Sequence, residues 1–501
     1  MVRDAALLAR YHCWNLVLLR CVVVSFSTGT VEGARDASLR EDRRRVLTIP
    51  SLGHASRRGR LTALALLVAG ALAMSAEASD SLDEALISAY LSNPQLESGR
   101  AVLRATDELV PQALARGRPS VFVDGNVDAF TQDTDNSERD DRLTQGVNLS
   151  VRQPLYAGGG IRAGVRQAEN QVRAERAFLL ATEQQVLLDA VDAYTATWRD
   201  RVVLDLAITN ETRIARELQA TRDRFEVGEV ARTDVAQSEA RLARARADIE
   251  TARADLAAST AAFRDIIGID PGVLAEPQAF PILPTSESEA QAMAAANPNI
   301  TSATFELQAA REAVDVAFAD LLPSLDLTGD LNYQNEPARN IDRRDEARVG
   351  LQLSVPLFQG GADRSRVRQN RQTVDARRSD LENTLRGVQR AVTTSWERVI
   401  AARAAVRSFE EEVRANQIAL DGVREESLVG QRTVLDVLNA EQELFTSQTN
   451  LVSAQREAVL ATYQLKSAIG ELTVSGLDLD VQPYDADAYY LRNRDRLFGL
   501  D

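Results

Sequence analysis

Two periods alternate along this chain. Val165, Val172, Leu179 and Val186 step by seven, and Val367, Val374, Leu381 and Val388 repeat that step 202 residues later. Apolar positions recurring every seven residues mark helices that coil around one another. Residues 161–226 carry no proline, so the pattern predicts one helix about 100 Å long at 1.5 Å per residue. Shorter helices are expected at about 81–116 and 233–267. Between them the period drops to two. Val121, Val123, Gly125, Val127 and Ala129 alternate with Phe122, Asp124, Asn126, Asp128 and Phe130, and Val147, Leu149 and Val151 alternate with Asn148, Ser150 and Arg152. A third strand sets Leu325, Leu327, Gly329, Leu331 and Tyr333 against polar partners, and a fourth does the same with Val349, Leu351, Leu353 and Val355.

The elements are written twice. Asn93-Pro94 recurs as Asn297-Pro298 and Pro119-Ser120 as Pro323-Ser324, each 204 residues on. Leu149-Ser150-Val151 is matched with Leu353-Ser354-Val355, and from Pro154 onward the offset settles at 202: Val227-Gly228 with Val429-Gly430, Asp234-Val235 with Asp436-Val437, Ile267-Gly268 with Ile469-Gly470. Constant spacing with divergent side chains indicates one structural unit duplicated. The expected organisation is 1–78 N-terminal extension and signal, 79–271 first repeat, 272–284 proline-rich linker, 285–470 second repeat, and 471–501 C-terminal extension.

The signal rests on Arg57-Arg58-Gly59-Arg60, the apolar run Leu61 to Ala73 and Ala76-Glu77-Ala78, which together read as a secretory leader. The run is short for a membrane anchor, which needs about 20 apolar residues. A second apolar run, Leu16 to Phe26, lies upstream, and the true start is expected near Val46 or Leu47. The whole sequence has two Cys and two His, and Cys13, Cys21, His12 and His54 all precede the cleavage site. The mature chain then lacks thiol and imidazole, which excludes disulfides, zinc–thiolate centres and histidine triads. The net charge of −15 disfavours nucleic acid as a partner.

Export and duplication change how the strands read. Segments of about ten residues, apolar on one face and polar on the other, fit lipid outside and water inside. A soluble sheet with one wet face is the alternative. Four strands cannot close a barrel, for which about eight is the minimum, and open edges are not tolerated in lipid. The chain must therefore oligomerise to make a pore. The polar stretches Thr131 to Arg142 and Asn335 to Ala347 are expected as outward loops.

These residues resemble the TolC family of outer-membrane channels across 81–470. The turns Pro154-Leu155-Tyr156-Ala157-Gly158-Gly159 and Pro356-Leu357-Phe358-Gln359-Gly360-Gly361 carry the resemblance, with the paired Val-Gly…Asp-Val turns. The tail from Tyr484 to Gly499 looks like the extension of secretion-type members. The resemblance implies an α+β membrane protein: a homotrimer whose twelve strands form one transmembrane barrel, above a coiled-coil α-helical barrel reaching into the periplasm. It implies a periplasmic adaptor and an inner-membrane transporter as partners, with no cofactor and no catalysis. It places a gate at the helix–helix turns, where Thr233 and Asp234 would link to Arg432. Ser427 stands where the family has a tyrosine. Asp436 matches one aspartate ring, and Asn439 replaces the other. Thr433 to Asp436 also reads as a plain helix cap.

Three function classes follow: an export duct for protein (the favoured cargo) or for drugs, a periplasmic coiled-coil adaptor, or an enzyme. The adaptor would show one helical hairpin between small β-domains, without duplication. Gly158-x-Gly160-x-x-Ala163 mimics a dinucleotide fingerprint, but its second copy does not keep the pattern, so a tight strand-to-helix exit explains it better. Trp198 and Trp396 read as core, and Asp133 to Asp141 as a solvated loop rather than a calcium site.

Overall fold

The structure is a computed structural model that describes residues 81–499 apart from 136, 282, 339 and 340. The leader and the start site lie outside the described residues. Three short helices open the described chain: α1 (Leu82–Ser92), α2 (Pro94–Asp107) and α3 (Leu109–Ala115). The single helix expected over 81–116 is thus broken. At Asn93-Pro94 the proline has no N–H to continue the ladder, and the chain restarts with Asn93 Oδ1 accepting from Gln95 N at 2.9 Å. Asn93 Nδ2 also donates to the Ile266 carbonyl at 3.0 Å. Asn297 repeats both bonds, to Asn299 N and the Ala468 carbonyl, at 2.9 Å each. The repeated Asn-Pro pair is therefore a helix cap and a cross-tie in one residue.

Strands β1 (Ser120–Thr134) and β2 (Ser137–Ala157) lead into α4 (Gly160–Glu226), and a tight turn returns the chain along α5 (Arg232–Ile267). The second half runs α6 (Glu287–Met293), α7 (Pro298–Ala319), β3 (Ser324–Ala338), β4 (Ile341–Ser354), α8 (Ala362–Leu428) and α9 (Val434–Ile469). A short α10 (Ala488–Asn493) lies in the tail. α4 and α8 are each 67 residues long, about 100 Å, and α5 and α9 are each 36. The seven-residue stripe faces inward, with Val172, Leu179, Val186, Val367 and Val388 buried.

The four strands form one antiparallel sheet in the order β1-β2-β3-β4. Register brings the apolar faces together: Val121 opposes Val151, which opposes Gly329, which opposes Val349, and Val123, Leu149 and Leu331 form the next row. Because opposed residues share a face, the sheet carries one continuous apolar surface, and its Val123 and Val349 are 69% and 81% exposed. The polar face holds Arg152, whose Nη2 donates to Asp326 Oδ2 at 2.6 Å.

Two expectations change here. The stretches expected as outward loops are mostly strand, with Thr131 opposite Asp141 and Asn335 opposite Arg343. Backbone hydrogen bonds carry the ladder whatever the side chains, and charges two residues apart neutralise one another on one face. Arg139 pairs with Asp141, Arg142 with Asp140, Arg343 with Asp345, and Arg348 with Glu346. The supposed solvated loop over Asp133 to Asp141 is thus a hairpin end. The repeat alignment also shifts. Leu149 opposes Val123 as Leu351 opposes Leu327, and Val151 opposes Val121 as Leu353 opposes Leu325. The counterparts of Leu149 and Val151 are therefore Leu351 and Leu353, and the two-residue change of offset sits at the hairpin ends. A pattern of period two looks the same after a slip of two, so residue identity alone misplaced it.

The largest hydrophobic cluster joins α1, α2, α4, α5 and α9 with Leu472 and Val474 of the tail, and includes Trp198. Trp396 is partly buried and packs against a second cluster among α6, α8 and α9, so Trp198 is core and Trp396 lies at a core's margin. Among the described residues no helix is long and apolar enough to cross a membrane.

Candidate functional site

Two regions concentrate chemistry: the sheet with its helix exits, and the far ends of the two helical hairpins. At the exits, Gly158 and Gly360 have φ of +59° and +62°, values that side-chain-bearing residues rarely adopt. They turn each strand into its long helix, which is the role of the supposed dinucleotide motif. Leu357 and Phe358 stand exposed beside the second exit, as Leu155 and Tyr156 do beside the first, in the manner of residues at a lipid–water boundary.

At the far ends the chain reverses at Gly228 and Gly430, with φ of +84° and +75°. α9 begins with a reciprocal cap: Thr433 Oγ1 accepts from Asp436 N at 3.2 Å, and Asp436 Oδ2 accepts from Thr433 N at 3.0 Å and Thr433 Oγ1 at 2.8 Å. Those bonds, backbone first, hold the Asp436 carboxyl below its ordinary range, with Arg432 adding a smaller attraction. The counterpart turn is half-built. Asp234 Oδ2 accepts from Ala231 N at 3.0 Å, but Ala231 has no hydroxyl to answer.

The residues expected at the gate are gathered in part. Asp234, Arg432 and Thr433 line one concavity between the two turns, with Arg224, Glu229 and Ser427. Within it Arg432 Nε donates to Glu426 Oε2 at 2.7 Å, while Asp234 is engaged at its own cap. Thr233 is exposed on the first turn of α5. Asn439 Oδ1 accepts from Arg241 Nη2 at 2.7 Å and so ties α9 to α5.

One cluster escaped the sequence reading. Glu441, 2% exposed, takes Arg424 of α8 and, at 3.5 Å, Arg213 Nη1 of α4. Its signal was present in the repeat. Arg222 and Glu239, 202 residues earlier, pair at 2.7 Å, so the same arginine–glutamate link is written in both hairpins. Beside it Ile214, Leu218, Leu242, Val434 and Leu438 pack together, joining the hairpins near their ends.

The tail is anchored along the first half. Val474 N donates to the buried Glu183 Oε1 at 2.8 Å, Tyr484 N to Tyr90 Oη at 2.8 Å, and Tyr489 Oη to Glu108 Oε1 at 2.8 Å. Arg176 pairs with Asp487 and lies 4.0 Å from Asp107. Asp107 is buried with neither carboxyl oxygen hydrogen-bonded. Burial pushes its pKa up to about 6 against the pull of Arg176, with Asp487 and Glu108 pushing the same way. Among the described residues no group of three or more His, Cys, Asp or Glu could hold a metal ion.

The family model described as outer membrane efflux protein matches residues 86–269 and 290–471, one match for each half. Outer membrane efflux protein BepC of Brucella suis is 35% identical over 445 residues, 88% of this chain and 96% of that protein. Alkaline protease secretion protein AprF of Pseudomonas aeruginosa is 29% identical, covering 69% of this chain and 74% of that one. Among solved structures, the Campylobacter jejuni CmeC outer membrane channel superposes with a TM-score of 0.72 at 15% identity, over 83% of this chain and 89% of that one.

Proposed function

This chain belongs to the outer membrane efflux protein family, that of the TolC channels, and from that premise we propose that three copies of it form the passive exit duct of a protein secretion machine. It is an outer-membrane export channel with its helices in the periplasm, not an enzyme. The observation that carries the assembly of several copies is the four-stranded sheet, apolar on one exposed face and with β1 and β4 at its edges. Such edges cannot stand in lipid, and three copies bring twelve strands to one barrel. We read 79–271 and 285–470 as one unit duplicated across the linker 272–284, which sets aside the periplasmic adaptor.

The far ends of the hairpins form the gate in this reading. Asp234, Thr233, Arg432, Asp436 and Asn439 sit on or beside the turns. Three symmetry-related Asp436 carboxylates around an axis repel one another and gather cations. Links between exposed side chains are weak, about 0–1 kcal/mol each, as suits an entrance that a docked adaptor and inner-membrane transporter open. Asp436→Ala should relieve block of channel current by divalent cations; unchanged block would sink the ring.

Protein cargo is favoured by the long tail and by AprF, whose name records protease secretion. Small-molecule efflux is the second reading, favoured by BepC, whose name records efflux. The deciding experiment compares the secreted proteomes of a strain lacking this gene and its parent. Loss of one or a few large proteins supports the first reading, and an unchanged medium with raised drug sensitivity supports the second.

A further inference from the structure

The tail changes character along its length. From Glu471 to Tyr490 it carries five acids and no base, and from Leu491 to Phe498 it carries Arg492, Arg494 and Arg496 against Asp495 alone. Packing changes at the same point. Leu472 and Val474 are core, Tyr484 packs against it, and Tyr490 packs on a small cluster with Val110 and Val172. Beyond Tyr490, Leu491, Leu497 and Phe498 are 73%, 65% and 88% exposed. Those three side chains add nothing to the core.

The basic end is also the end that approaches the sheet. The tail climbs α4 from its middle toward its start: Val474 is held by Glu183, Asp487 pairs with Arg176, and Arg494 Nη2 donates to Glu169 Oε1 at 3.1 Å. Each of these seven-residue steps along α4 is about 10 Å, and α4 starts at Gly160, three residues after β2 ends. Asp495 then stands 4.0 Å from Arg118, two residues before β1 begins. The neighbouring Gly117 carbonyl accepts from Gln153 Nε2 of β2 at 2.9 Å. The tip of the tail thus comes up to the helix exits, where Leu155, Tyr156, Leu357 and Phe358 stand exposed at the rim of the sheet.

We propose that the end of the tail, Leu491 to Phe498, docks on the periplasmic surface of the outer membrane, with Arg492 and Arg496 on lipid phosphates and Leu497 and Phe498 seated among the headgroups. The inference rests on the sheet spanning that membrane and adds a lipid contact outside the barrel. Leucine and phenylalanine exposed beside arginines are the composition of segments that lie in a bilayer interface. There the arginine stems follow the apolar boundary while their charged ends meet phosphate, and basic groups are drawn to an anionic lipid surface. The donors are available. Arg492 is exposed and engages no partner among the described residues. Arg496 gives Nε to the Phe498 carbonyl at 3.0 Å and Nη1 to Asn493 Oδ1 at 3.5 Å, which leaves Nη2.

Arg494 has a different part. It is committed to Glu169 and lies 5.9 Å from the centre of the Tyr490 ring, so it fixes the segment to α4 while the arginines on either side of it stay free. Another protein or a second copy of the chain is the rival occupant. The place decides between them: the tip borders the rim of a surface that lipid covers, so a bilayer is its neighbour whatever other partners are present.

The test uses the exported chain in vesicles of phosphatidylethanolamine and phosphatidylglycerol. Its only cysteines, Cys13 and Cys21, lie in the leader, so an introduced thiol takes a fluorescent label cleanly. A label on Phe498→Cys should be quenched by brominated lipid several-fold more than one on Val227→Cys at the far turn, and should approach one on Leu331→Cys in the sheet. Vesicles of phosphatidylcholine alone, or Arg492→Gln with Arg496→Gln, should lower the quenching at 498 at least twofold and leave that at 331 unchanged. Quenching at 331 with none at 498 overturns the tail contact and leaves the spanning sheet standing. A label at 498 that neither brominated lipid nor aqueous iodide reaches is covered by protein, which overturns the contact as well. Quenching at 498 that ignores both lipid charge and the two arginines overturns the pairing with phosphate. A label at 331 that lipid does not quench overturns the spanning sheet itself.

Discussion

The two long helices are counterparts residue for residue, yet they live in different surroundings. α4 buries a stripe from Ala163 to Thr221, while α8 buries only Asp363, Val367, Val388, Val392, Val399, Ala402 and Leu420. The cause is cover. α1 to α3, α7 and the tail all pack on α4, in addition to α5 and α9, whereas α8 has α6, α7 and α9. Side chains follow the surroundings: Leu187 is fully buried, and its counterpart Gln389 is exposed. A duplicated pattern thus specifies shape, and burial is decided by what arrives to cover it.

Counterpart positions make that comparison measurable. Leu187→Ala should cost about 2–5 kcal/mol of stability, and Gln389→Ala should stay within about 0.5 kcal/mol, both read by denaturant unfolding in detergent. Equal losses would break the contrast between the helices. Asp107 is buried where its counterpart Arg311 is exposed. Its folded pKa, about 6, lies above the unfolded value, so ionising it costs stability. Its own contribution is most favourable below about pH 4, falls as pH rises between about 4 and 6 and levels off above. Asp107→Asn should therefore recover about 1–3 kcal/mol at pH 7.5 and less at pH 5, with Arg311→Gln flat across the range.

Gly158 and Gly360 share a backbone conformation but not a neighbourhood. A Cβ on Gly158 would sit 2.7 Å from the Ala319 carbonyl, while one on Gly360 meets nothing within 4 Å. Gly360→Ala should cost about 1–2 kcal/mol from backbone strain alone, and Gly158→Ala more, compared by melting of solubilised single chains. The smallest contrast is at the turns. Thr433→Ala should lose about 1 kcal/mol of cap, and Ala231→Thr should gain a comparable amount, followed by hydrogen exchange in the first turns of α9 and α5.

Legibility in the sequence tracked the strength of the period. The seven-residue stripe located α4 and α8 because no proline interrupts it, and the alternation located all four strands. Strand ends were misjudged at Thr131 to Arg142, since ladder bonds between backbones leave no trace in side chains. The slip of two at Leu149 came from the same source, a period that repeats too soon. At the hairpin ends, residue identity placed Asp436 and Asp234 on their turns, but it could not reveal that Arg432 turns to Glu426. Glu441 went unseen because its partners lie on two other helices, although the repeated Arg222–Glu239 pair was there to be noticed.

The tail carries a consequence for the order of events during synthesis. The main cluster needs Leu472 and Val474, as well as Val452 and Tyr463 of α9, alongside residues as early as Leu82. A chain threaded out of the cytoplasm from its N-terminus meets those last contributors only when nearly all of it has crossed. Until then the cluster that holds Leu86, Leu187 and Tyr194 is short of its members from α9 and the tail. The full core can therefore form only once the final thirty or so residues, about 6% of the chain, have arrived.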